Sequence, residues 1–74
     1  MSEYGVILFH TSSEVFRSEK MFKESKIDIK LIPTPRDFSS DCGMAIRFAW
    51  SELLKIKNIV NIGGIDISAI HQIM

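Results

Sequence analysis

Cysteine is almost missing from this 74-residue chain: Cys42 stands alone. One cysteine closes no internal disulfide. The chain is therefore no disulfide-stapled scaffold, and a reducing, cytoplasmic setting is expected. A charge excess is missing too. Nine basic and nine acidic residues give a formal net charge of zero. That argues against nucleic acid as a partner, because neutralising phosphates takes a basic surplus, and against polybasic attachment to a membrane. No apolar run approaches the ~18 residues that span a bilayer. Met1-Ser2-Glu3-Tyr4 puts no basic stretch ahead of an apolar core, so no secretory leader is expected. One cysteine with two distant histidines, His10 and His71, is a poor metal-ligand set. There is no glycine-rich phosphate loop, and no repeat, low-complexity stretch or linker. Neither a metal nor another cofactor is expected.

What the chain does have is apolar matter in an ordinary globular proportion, 46% hydrophobic against 24% charged, which argues against disorder. Seventy-four residues make one domain, residues 1–74, near the lower size limit for an unaided core. A chain this small can need a partner to cover leftover apolar surface, so a homodimer is one expectation.

Hydrophobic periodicity predicts six elements. Tyr4 to His10 is short, apolar and rich in β-formers. Both of its alternating sets, Val6/Leu8 and Ile7/Phe9, are apolar, as in a central strand covered on both faces. Thr11 and Glu14 have capping-box spacing, and a helix should follow to about Lys26, with Val15, Met21 and Phe22 on one side beside the small Ser18 and Ser25. Ile27, Ile29 and Leu31 alternate with Asp28 and Lys30 as a half-buried strand that Pro33 and Pro35 stop. Residues 34–42 form a polar loop. Gly43 to Phe48 alternates again, with Met44, Ile46 and Phe48 opposite Ala45 and Arg47. Ser51 should cap a second helix reaching about Ile62, with Leu53, Ile56, Ile59 and Val60 as its stripe, and Gly63-Gly64 should stop it. Ile65 to Ile73 is a last strand.

The economical packing of this β-α-β-β-α-β order is an α+β ferredoxin-like sandwich: a four-stranded antiparallel sheet, order 4-1-3-2, with two helices on one face. The open face would carry Ile7 or Val6, Ala45 and part of the last strand. If exposed, that apolar patch would serve dimerisation; otherwise these are scattered surface aliphatics.

The same topology puts the start of the third strand near the end of the first. Cys42 should then lie close to Thr11, Ser12 and Ser13, the first turn of the first helix, with its side chain toward the helices. A helix N-terminus offers free N–H donors and about half a positive charge. That setting favours thiolate, as does a nearby cation such as Arg36, and thiolate is the attacking form. Gly43 would let a substrate or another backbone approach closely, and Ser39 and Ser40 could donate to the sulfur or to an anion. Against this, a lone cysteine is commonly a small buried hydrophobe. His10 is a candidate base near Cys42, or simply a satisfied strand-end histidine. His71 is expected to be structural or solvated, and Arg47 to line an anion site on the open face or to be solvated. Asp37 and Asp41 are expected as turn residues.

Glu19-Lys20, Pro35-Arg36, Ser39-Ser40, Cys42-Gly43 and Arg47-Phe48 follow one another in an order that resembles the selenium/sulfur carrier-like family of small bacterial proteins. The resemblance runs over nearly the whole chain, with Leu31 to Phe48 its specific part. It implies a small carrier rather than a true enzyme, with Cys42 as the carrier position and sulfur or selenium donor and acceptor proteins as partners. The Cys-Pro-x-Pro motif of better-known sulfur-relay carriers is absent, since Gly43 follows Cys42. Phe16 and Ser18 stand where smaller aliphatics or alanine are usual in the family.

Three functions follow as expectations. In the first, Cys42 accepts sulfur or selenium as a persulfide or selenopersulfide and passes it on, with Arg36 and the helix N-terminus stabilising the thiolate. In the second, the protein is a non-catalytic interaction module whose open sheet face or an edge strand binds a protein partner, and the Cys42 loop is structural. In the third, it senses a small anion through Arg36 and Arg47.

Overall fold

A computed structural model describes residues 3–38 and 43–73. Four strands, β1 (Tyr4–Phe9), β2 (Ile29–Pro33), β3 (Met44–Ala49) and β4 (Ile67–Ile73), form one sheet in the order β2-β3-β1-β4. All three pairings are antiparallel. Two helices, α1 (Ser12–Glu24) and α2 (Leu53–Gly63), complete the α+β fold, and a 3-10 turn over Trp50–Glu52 leads into α2. The strand order is the one the connectivity predicts.

Both helices cover the same face. Val15 and Phe22 of α1 and Ile56 of α2 pack in one buried cluster with Ile7, Phe9, Ile46 and Phe48 of the central strands. Strand alternation sends the intervening side chains to the other face, where Val6, Leu8 and Ala45 form a second buried cluster. This corrects one expectation. Val6 and Ala45 do face the helix-free side, but both are wholly buried within the monomer, with Ile32, Phe38, Ala69 and Ile73 packed against them. The bare apolar patch on which dimerisation was argued is covered by the chain itself.

Helix ends show why the boundaries fall where they do. Thr11, extended at φ −138°, caps α1 by accepting from the Glu14 amide at 3.4 Å. The reciprocal half of the capping box is not what Glu14 does: its carboxylate accepts from the Asp66 amide at 3.0 Å. At the other end, Lys26 N–H donates to the Lys23 carbonyl and Ile27 N–H to the Phe22 carbonyl, each at 3.0 Å. This is a Schellman closure, and its left-handed position is held by Lys26 at φ 62°. The helix therefore stops at Glu24, before the expected Lys26. The same closure ends α2, with Gly64 at φ 61° and Ile65 N–H donating to Val60. Ser51 does not cap α2. It sits inside the 3-10 turn, and Glu52 precedes the helix without a side-chain cap bond.

Two glycines set close approaches. A Cβ on Gly5 would lie 2.5 Å from the Phe48 ring and 2.7 Å from Trp50, whose rings stack at 5.9 Å beside it. A Cβ on Gly63 would collide with the Met21 side chain, so Gly63 lets α2 and α1 meet. A polar clamp reinforces that contact: Arg17 donates to the Gly63 carbonyl at 2.6 Å and lies 3.7 Å from the Glu14 carboxylate.

Candidate functional site

The loop between β2 and β3 is anchored where it leaves the sheet. Thr34 N–H donates to the Gly43 carbonyl at 3.0 Å, so the two ends of the segment are tied together. Pro35 starts a turn that closes when Phe38 N–H donates to the Pro35 carbonyl at 3.1 Å. Arg36 and Asp37 ride exposed on that turn. Phe38 then lies flat against His71 of β4, with ring centroids 4.3 Å apart and planes 6° from parallel. Since β3 and β1 lie between β2 and β4, the loop reaches across the helix-free face, and Phe38 is the residue that helps bury Val6, Leu8 and Ala45.

The predicted site residues fall into three groups. Thr11 and Ser12 open α1 as expected, both exposed, with Thr11 in the cap position. Arg36 and Gly43 flank the loop and are exposed. No protein atom beyond its chain neighbours stands within 4 Å of a Cβ placed on Gly43, so the space beside it is open and not filled by another backbone. Ser39, Ser40, Asp41 and Cys42 lie outside the described residues. Gly43 enters β3 at the end of the sheet where β1 hands over to Thr11, because the β1–β3 ladder closes with Leu8 opposite Ala45. The Glu19-Lys20 pair sits on α1, where Glu19 pairs with Lys23 at 3.2 Å.

Arg36 and Arg47 belong to different levels of the sheet. Arg36 rides on the loop ahead of β3, whereas Arg47 is four residues into β3, toward the opposite end of the sheet. There its guanidinium lies over the Tyr4 ring, 4.5 Å from the centroid, within the range of a cation–π contact. Directly opposite on β2 is Lys30. With Asp28 and Ala49, these residues line a cleft of about 300 Å³. Sequence reading singled out Arg47 but missed Tyr4 and Lys30. Lys30 carries only the signal of an alternating polar residue, and Tyr4 meets Arg47 through a strand pairing that spans most of the chain.

Among the described residues no cluster of three His, Cys, Asp or Glu could hold a metal ion, and no helix is long and apolar enough to cross a membrane. The family described as "Putative Se/S carrier protein-like" has a model that matches residues 4–72. The chain belongs to that family. The match runs from Tyr4, the first residue of β1, to Gln72, the last but one of β4, and takes in the whole loop that holds Cys42. No curated protein and no solved structure matches the chain.

Proposed function

We propose that the protein carries sulfur or selenium on Cys42. In the loading step the Cys42 thiolate attacks the outer sulfur of a donor protein's persulfide. The new Cys42 sulfur–sulfur bond forms as the donor's own bond breaks, and the donor cysteine leaves as thiolate. In delivery an acceptor thiolate attacks that outer sulfur and Cys42 is the leaving group. Neither step changes the overall oxidation state, so the protein needs no cofactor of its own. Selenium follows the same path as a selenopersulfide.

The observation that carries this reading is the family match across residues 4–72, which includes the chain's one thiol. The surroundings support it. Arg36 is an exposed cation on the same loop. Thr11 and Ser12 open α1 at the end of the sheet where Gly43 enters β3, and the positive pole of α1 would favour thiolate there. Ser39 and Ser40 would hold the transferred atom. The partners are a donor and an acceptor protein, in a reducing cytoplasm that keeps the thiol free.

Mass spectrometry tests the proposal. After incubation with a cysteine desulfurase and free cysteine, the protein should gain one sulfur atom that dithiothreitol removes, and Cys42→Ser should gain none. No adduct on the wild-type chain, or an adduct that survives in Cys42→Ser, overturns it. Alkylation rate followed against pH is a second check. An apparent thiol pKa below the ~8.5 of an ordinary cysteine is expected.

A further inference from the structure

We propose that the cleft at the Tyr4 end of the sheet binds a small oxyanion, a carboxylate or phosphate group, between Arg47 and Lys30. The register places these two cations directly opposite one another on the helix-free face. Like charges in that relation repel and destabilise a sheet. Among the described residues neither cation forms an ion pair: the ion pairs there join Arg17 to Glu14, Lys23 to Glu19 and Lys55 to Glu52. Asp28 lines the same cleft without forming an ion pair with either cation. The sheet thus carries a repulsive pair beside a cavity, and among the described residues the one carboxylate lining that cavity, Asp28, is not paired with either cation.

The geometry of Arg47 suits the role. Its guanidinium lies over the Tyr4 ring, which engages the flat face of the fork. The in-plane N–H donors remain available, and two of them match the spacing of carboxylate or phosphate oxygens. Arg47 is half-buried while Lys30 is exposed, so the first can fix the ligand's orientation and the second can close on it from the rim. On the face of the two cations, Tyr4 and Ala49 give the cleft its apolar lining, which lowers the local dielectric and strengthens both contacts. A volume of about 300 Å³ suits a small molecule and not a polymer. Asp28 works against a polyanion, and it offers an acceptor to a ligand that also carries an ammonium or hydroxyl donor. None of these residues belongs to the Cys42 loop, so the site stands whether or not Cys42 carries sulfur.

Anion binding to the folded state should raise its stability by mass action. Thermal melting with sodium phosphate or sodium acetate, against sodium chloride at matched ionic strength, reads this. The melting temperature should rise with at least one of the two oxyanions beyond its value in chloride. Amide chemical-shift changes should centre on residues 4, 28–30 and 47–49. Comparing the two salts distinguishes a phosphate from a carboxylate preference. Lys30→Gln, an exposed substitution expected to fold normally, should weaken the response at least tenfold in half-saturating concentration. Arg47→Gln should abolish it. An equal rise in chloride, shift changes centred elsewhere, or an undiminished response in Lys30→Gln overturns the proposal.

Discussion

Gly5 is where a single methyl group would do most harm. A Cβ there would enter the Phe48 and Trp50 rings, and neither ring is the far end of a flexible chain. Gly5→Ala should therefore destabilise the protein by about 1–3 kcal/mol, the usual cost of overpacking, with urea denaturation as the measurement. Lys26 is the opposite case. Its left-handed backbone at φ 62° costs an L-residue roughly 1–2 kcal/mol. Glycine removes that strain but brings more chain entropy to lose, so Lys26→Gly should stabilise by about 0.5–1 kcal/mol. Ser18 is fully buried on α1 and its hydroxyl has no hydrogen-bond partner. Burying an unpaired hydroxyl costs roughly 1–3 kcal/mol, and alanine is the better helix former. Ser18→Ala should raise the urea midpoint, and a fall would show that the hydroxyl is satisfied after all.

At the scale of elements, the loop between β2 and β3 acts as a strap over the helix-free face. Phe38 supplies the contact, stacked on His71 and packed against the cluster of Val6, Leu8 and Ala45. Truncating a fully buried Phe costs about 3–5 kcal/mol. Phe38 is half-buried, so Phe38→Ala should cost about 2 kcal/mol, and amide exchange along β1 and β3 should quicken first on the helix-free side. Most elements were legible in the sequence because local patterns determine them. The alternation of Ile29 and Leu31, or of Met44, Ile46 and Phe48, maps directly onto the helix side of the sheet. The strap was not legible. Phe38 sits in a polar stretch, and nothing local shows that the loop crosses two strands to reach β4. The last strand starts at Ile67 and not at the expected Ile65. Its register shifts between Leu8 and Phe9 of β1, so Leu8 faces Ala69 while Phe9 faces Ile67. Ser68 is the extra residue of that bulge. It resets the phase, placing Ile67 and Ile70 three apart on the helix side, a spacing that looks helical. The capping box failed similarly: its spacing is present, but a tertiary partner, the Asp66 amide, takes the Glu14 carboxylate.

The whole molecule has a radius of gyration of 11.1 Å, against ~11.3 Å for a compact chain of this length, so little of it trails outside the packed layers. Among the described residues three large apolar side chains stay on its surface: Phe16 at 54%, Leu54 at 80% and Ile62 at 75% exposure. With zero net charge and an isoelectric point near 6.7, such a surface has little repulsion to oppose self-association. Solubility should pass through a minimum close to that pH. The double substitution Leu54→Glu, Ile62→Glu should raise solubility there while changing unfolding free energy by no more than about 1 kcal/mol, since exposed sites usually shift stability little. A larger loss would mean that these side chains pack against something in solution. The candidate site was legible only at its local level. Cys42, Arg36 and the serines stand out as neighbours in sequence, whereas the Tyr4–Arg47–Lys30 cluster exists only once three strands are laid side by side.

The bond from Thr34 to Gly43 turns the segment between them into an interchangeable cassette. Its two ends are joined to each other just where β2 stops and β3 starts, so changes of length after Phe38 need not propagate into the sheet. What a new insert would have to keep is the aromatic weight at Phe38, because that ring roofs the hydrophobic floor beneath.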